Sequence, residues 1–200
     1  MLKANLQSEQ TDRLVGGLAA LGLSPNAWTL LSLLPALAGL LALLQHSLAA
    51  GLMLFILSGF IDMVDGAVAS ATGTASTRGA FIDGVVDRYV ELLLYLGLLF
   101  YLGTGDYLGV PRNAWFMLLV FGALMTSFTR AYADHRGLVK DPSELKKMGV
   151  LLERGERLIL LYAGMLAALA QPEWLMAAVA ITAVLANLTV MQRIAFALRK

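Results

Sequence analysis

The chain has 200 residues, 58% of them hydrophobic and only 14% charged, with a formal net charge of +1. That balance belongs to a polytopic membrane protein. The absence of cysteine excludes disulfides, thiolate metal sites and cysteine nucleophiles. With the charges so nearly balanced, their total says nothing about partners and their placement matters more; no nucleic-acid partner is expected.

Residues 1–24 alternate polar and apolar. The expected element is an amphipathic helix lying along the membrane interface, with Leu6, Leu14, Leu18 and Leu21 on one side and Gln10, Asp12 and Arg13 on others, weakened by Gly16-Gly17. No cleavable signal peptide is expected, because the first apolar run begins only after this polar segment. Gly22 and Ser24-Pro25-Asn26 punctuate the chain, Pro25 suiting the first turn of a helix.

Six spans follow, making one domain over 1–200: an interfacial helix and then an all-α, six-span bundle over 25–200. The first runs from Ala27 to about Leu44, near the roughly 17 to 25 residues a crossing needs. The second covers Leu48 to Ser70, the third Gly79 to Leu102 and the fourth Ala114 to Ala133. The fifth, Arg157 to Ala170, is short, and the sixth covers Trp174 to Ala197. Trp115 and Trp174 fall at span ends, where amphipathic rings favour the headgroup layer.

Lysine and arginine concentrate on one side of this topology. Lys3, Arg13, Arg78, Arg136, Lys140, Lys146, Lys147, Arg154, Arg199 and Lys200 lie there, against Arg112 on the other. The positive-inside rule makes the first side cytoplasmic, and the cell membrane is the expected location.

On that side the second and third spans carry acids. Asp62 and Asp65 (i, i+3) share one helix face, and Asp83 and Asp87 (i, i+4) share a face of the next. A lone Asp at a helix end is ordinarily a capping or snorkelling residue. Four on consecutive spans need compensation, since each costs on the order of 2.5 to 3.5 kcal/mol at bilayer depth, less near the interface. Hard divalent cations, Mg²⁺ or Mn²⁺, supply it and commonly share carboxylates with substrate phosphates. Gly66, Ala67, Ala69, Gly73, Gly79, Ala80 and Gly84 let helices approach and leave room for a diphosphate. A spare carboxylate beside a bound diphosphate can deprotonate an attacking alcohol. Acids in spans also mark ion paths, so a cation transporter is the competing class, although these acids sit near one face with arginines beside them.

The spacing D-x2-D-G-x2-A-x9-G-x3-D-x3-D, formed by Asp62, Asp65, Gly66, Ala69, Gly79, Asp83 and Asp87, resembles the signature of the CDP-alcohol phosphotransferase family. The resemblance implies a helical membrane fold, typically a homodimer, that moves a phosphatidyl-type group from a CDP-linked lipid to an acceptor alcohol and releases CMP. It further implies Asp62, Asp65, Asp83 and Asp87 as metal ligands, Asp87 also as general base, and Gly66, Ala69 and Gly79 against the cytidine and diphosphate. Pro25, Asn26 and Thr29 resemble the family's P-N-x-x-T, which faces the nucleotide. Ser70 stands where the family has arginine, and Arg78 and Arg88 are the candidates to replace that charge.

The stretches Gly149–Arg157 and Asn187–Arg193 resemble the branch that makes phosphatidylinositol phosphate or archaetidylinositol phosphate. That implies inositol phosphate as acceptor, with Ser127, Arg130, Arg154 and Arg193 around its phosphate. Guanidinium groups suit such an anion because they make paired hydrogen bonds. Glycerol 3-phosphate is the alternative acceptor, and a relative that binds CDP-lipid without turnover is a third reading.

Overall fold

The computed structural model describes residues 22–149 and 151–199. The interfacial helix expected over 1–24 lies outside them except for Gly22–Ser24, which are not helical.

Helix α1 (Pro25–Leu31) starts where the sequence indicates: the Ala27 amide donates to Ser24 Oγ at 3.3 Å, with Pro25 in the first turn. The expected first span is not one helix. It breaks at Ser32 and resumes as α2 (Leu33–Leu44), because Pro35 has no amide hydrogen to give the Leu31 carbonyl. The interruption is bridged from outside, Ser58 Oγ donating to the Ser32 carbonyl at 2.8 Å.

Next come α3 (Leu48–Ala71), which contains Ser58, and α4 (Thr77–Leu102). An unanticipated two-residue hairpin, β1 (Asp106–Tyr107) with β2 (Val110–Pro111), pairs antiparallel as Asp106↔Pro111 and Tyr107↔Val110. The helices α5 (Arg112–His135), the short α6 (Pro142–Lys147), α7 (Arg154–Ala168) and α8 (Glu173–Leu198) complete the chain. Apart from the hairpin, the all-α expectation holds.

Four segments are long and apolar enough to cross a membrane: Pro25–Leu44 (α1 with α2), α3, α5 and α8. The other two expected spans fall short for different reasons. Helix α4 has the length, but Asp83, Asp87, Arg88 and Glu91 interrupt its apolar run, and α7 has only 15 residues. Trp174 is exposed, as expected of an interfacial ring, whereas Trp115 turns inward and its ring N–H donates to the Tyr107 carbonyl at 3.1 Å.

Packing divides the helices into two groups, α1–α4 on one side and α5, α7 and α8 on the other. They join along a seam where α4 meets α5 and α3 meets α7. Leu43 of α2 wedges between α3 and α4, where side chains are absent: a Cβ added at Gly51 or Gly97 would come within 2.7 or 2.6 Å of it. One apolar core crosses the seam, with Phe55, Leu94, Leu98, Leu119, Leu161, Met165 and Val179 all buried. Outside the core, Leu34, Met53, Phe60, Phe100, Met117, Phe121, Leu166 and Met191 stand exposed, as in a surface solvated by lipid. A second small cluster, Ala133, Val139, Met148 and Ala197, pins the loop around α6 to α5 and α8.

Candidate active site

The acids come from the first helix group and the arginines from the second, so the seam brings them together. Asp62, Asp83 and Asp87 each offer a carboxylate oxygen within 4.8 Å of the others. Asp62 is on α3, and Asp83 and Asp87 are one turn apart on α4. Asp65 lies one turn further along α3. It faces α1, only 6% exposed, and accepts a hydrogen bond from Thr29 Oγ1, outside the group of three.

Beside that group lies a cavity of about 330 Å³ lined by Pro25, Asn26, Thr29, Gly66, Ala69, Ser70 and Gly79, together with Asp65 and Asp83. All seven positions implied for the nucleotide thus border one space, and Asp83 connects it to the carboxylate cluster. Local sequence explains the shape. Ser76 caps α4, accepting from the Gly79 amide at 3.0 Å, and a Cβ at Gly79 would meet Asn26 Oδ1 at 3.3 Å. Glycine there allows the start of α1 close to the start of α4. Arg78 and Arg88, the candidates to replace the missing charge, do not line the cavity.

The arginines arrive from the other side. Arg154, in the first turn of α7, reaches Asp62 Oδ2 at 3.2 Å and contacts Asp87 Oδ1. Arg130 pairs with Glu153 at 3.1 Å. Arg193 lies 4.0 Å from Glu153 and donates to the carbonyls of Gly149 (3.1 Å) and Thr126. Ser127 is not among these arginines' partners; it accepts from Arg88 at 2.9 Å, and Arg88 lies 3.7 Å from Asp87.

Sequence reasoning misses the carboxylates Glu153 and Glu91, and it reads Arg157 only with the other arginines as part of an anion pocket. Glu153 occupies the space between Arg130 and Arg193, and its amide donates to Glu156 at 2.7 Å, fixing the start of α7. Glu91 and Arg157 form a buried ion pair at 2.9 Å. The available signal was spacing, since Glu91 follows Asp87 by four and Arg157 follows Arg154 by three.

The family model described as CDP-alcohol phosphatidyltransferase matches residues 22–191. The chain belongs to that family. It is therefore an integral membrane enzyme of phospholipid synthesis that works on CDP-linked alcohols. It is 32% identical over 152 residues to the archaetidylinositol phosphate synthase of Pyrococcus horikoshii, covering 76% of this chain and 73% of that one. Among solved structures it resembles Mycobacterium tuberculosis phosphatidylinositol phosphate synthase with CDP-DAG bound, with a TM-score of 0.80, 26% identity, and coverage of 95% of this chain and 94% of that one. The same mycobacterial enzyme in complex with manganese and citrate matches with a TM-score of 0.78 at 26% identity, over 94% of this chain and 88% of that one.

A divalent cation is the cofactor of such phosphatidyltransferases, and the residues here fit one. Their donors are carboxylate oxygens, which suit Mg²⁺ or Mn²⁺. Among the described residues, Asp62 Oδ1 is buried without a hydrogen-bond partner, although the Asp62 side chain is only 13% exposed. A buried anionic oxygen left so is costly unless a cation joins it.

Proposed function

We propose that this phosphatidyltransferase moves the phosphatidyl-type group of CDP-diacylglycerol or CDP-archaeol to inositol phosphate and releases CMP. One observation carries the choice of a phosphorylated acceptor. Arg130, beside Glu153, and Arg154, at the edge of the carboxylate cluster, each keep a buried Nε–H with no hydrogen-bond partner among the described residues. A second anion, bearing oxygens that can accept those donors, fits that place; a choline headgroup, being a cation, does not, and a doubly charged phosphate answers several arginines better than the single carboxylate of serine. Likeness to enzymes named for inositol phosphate products supports inositol phosphate over glycerol 3-phosphate.

The cavity beside Thr29 and Gly79 receives the cytidine end, its small residues admitting the nucleotide close to backbone. Asp62, Asp83 and Asp87 hold the divalent cation, with Asp65 beside the nucleotide as a further ligand. The cation neutralises the diphosphate and makes its phosphorus more electrophilic. Arg130, Arg154 and Arg193, with Ser127 nearby, hold the acceptor phosphate so that the attacking hydroxyl faces the lipid-bearing phosphorus. As the new O–P bond forms, the diphosphate P–O bond breaks, CMP leaves with the bridging oxygen, and the hydroxyl proton passes to Asp87.

In this reading α4 and α7 are the two remaining crossings. The acids of α4 and its partner arginines then lie at the cytoplasmic face of the cell membrane, in keeping with the excess of lysine and arginine on that side. The working unit is a homodimer. CMP release from CDP-diacylglycerol on adding Mg²⁺ and inositol phosphate tests the assignment. Release with glycerol 3-phosphate alone would change the acceptor, and release with neither would leave a binding protein.

A further inference from the structure

Glu91 and Arg157 have no role in the chemistry above, yet they are the most deeply buried charged side chains among the described residues, at 2% and 1% exposed. They repeat the Asp87–Arg154 contact one turn deeper on the same two helices, so α4 and α7 face each other through two rungs. In the inner rung Glu91 Oε1 accepts from Arg157 Nε at 3.1 Å and Nη2 at 2.9 Å, and from the Tyr95 hydroxyl at 2.9 Å. Arg157 Nη1 also donates to Thr126 Oγ1 on α5 at 3.2 Å. Arg88 ties the rungs together, 3.0 Å from Glu91 Oε2 and 3.7 Å from Asp87. The backbones of α4 and α7 scarcely approach one another, so these long side chains form the polar connection between them.

A buried ion pair adds little net stability over apolar side chains of the same volume. Stability alone therefore does not account for this one. The outer rung cannot set the spacing, because its carboxylate is engaged with cation and proton. We infer that Glu91 and Arg157 are a positioning pair for the transfer reaction: they hold α7 at a fixed register against α4, which keeps Arg154 on the acceptor phosphate while Asp87 works. The inference rests on the acceptor site proposed above.

The test is the full-length double variant Glu91→Met/Arg157→Met, which removes both charges and keeps the volume. It is expected to stay folded and melt within a few degrees of the wild-type temperature, since the Tyr95 hydroxyl and Arg88 lose Glu91 as a partner, to bind Mn²⁺ within about twofold of wild type and to keep the KM for CDP-lipid. Its acceptor KM is expected to rise at least about tenfold, the scale of one weakened hydrogen bond to a charged group. A folded double variant with wild-type acceptor KM overturns the inference, as does one that loses Mn²⁺ and acceptor binding together. Arg157→Lys, which keeps the charge but loses the forked contact, should show the same split; a lower melting temperature with unchanged acceptor KM would make the pair purely structural. A wild-type enzyme silent with inositol phosphate refutes the acceptor assignment instead, and the variants are then compared on glycerol 3-phosphate.

Discussion

Arg154→Gln separates two consequences of one side chain. Its guanidinium touches both Asp62 and Asp87, and the three side chains are 21%, 13% and 15% exposed. Exposed ion pairs contribute up to about 1 kcal/mol each, and these two are more buried, so removing both frees the carboxylates of roughly 2 kcal/mol of competing cation. Mn²⁺ should therefore bind the variant more tightly, by about 30-fold. The acceptor should bind more weakly. A charge-assisted hydrogen bond to phosphate contributes about 1.5 to 3 kcal/mol, which corresponds to a rise of roughly 10- to 150-fold in acceptor KM. Mn²⁺ titration of purified protein followed by electron paramagnetic resonance reads the first effect, and CMP release against acceptor concentration reads the second. Unchanged or weaker Mn²⁺ binding would show that Arg154 does not compete for the carboxylates; equal loss of acceptor and CDP-lipid affinity would make it a structural residue.

Asp87→Asn is expected to lower turnover by roughly 100- to 10,000-fold, the range for loss of a general base, with Mn²⁺ retained through Asp62 and Asp83; wild-type rates would remove it from that role. Ser70→Arg should restore a cation to the wall of the nucleotide cavity and lower the KM for CDP-lipid, measured at saturating acceptor, and a higher KM would show that the pocket has adapted to serine. Gly149→Ala should raise the acceptor KM several-fold and leave CDP-lipid binding intact. Gly149 has φ +57°, and a Cβ there would come within 2.5 Å of Arg193 Cγ, so the arginine must move. Wild-type kinetics in that variant would mean that Arg193 is not held by this loop.

The cavity proposed for the nucleotide was legible in the chain through its resemblance to the family motif, whose parts lie at short, fixed spacing across one helix–turn–helix unit. Gly66, Ala69, Ser70 and Gly79 follow from the motif, and the Ser24-Pro25 start places Asn26 and Thr29. The acceptor side was legible only as scattered arginines. Their partners, Glu153 between Arg130 and Arg193 and Thr126 beneath Arg193 and Arg157, depend on how α5, α7 and α8 pack. Local spacing carries no record of that packing.

The sequence by itself determined a helical membrane chain with acids clustered at one face, because apolar run length and the 3.6-residue period are properties of each segment alone. Tertiary structure decided the rest. It broke the first crossing at Ser32, paired Asp65 with Thr29, and set Arg154 against Asp62 and Asp87. The physical reason is that buried charges are stabilised by partners rather than by position along the chain, and partners from helices distant in sequence meet only when the seam between the two helix groups closes.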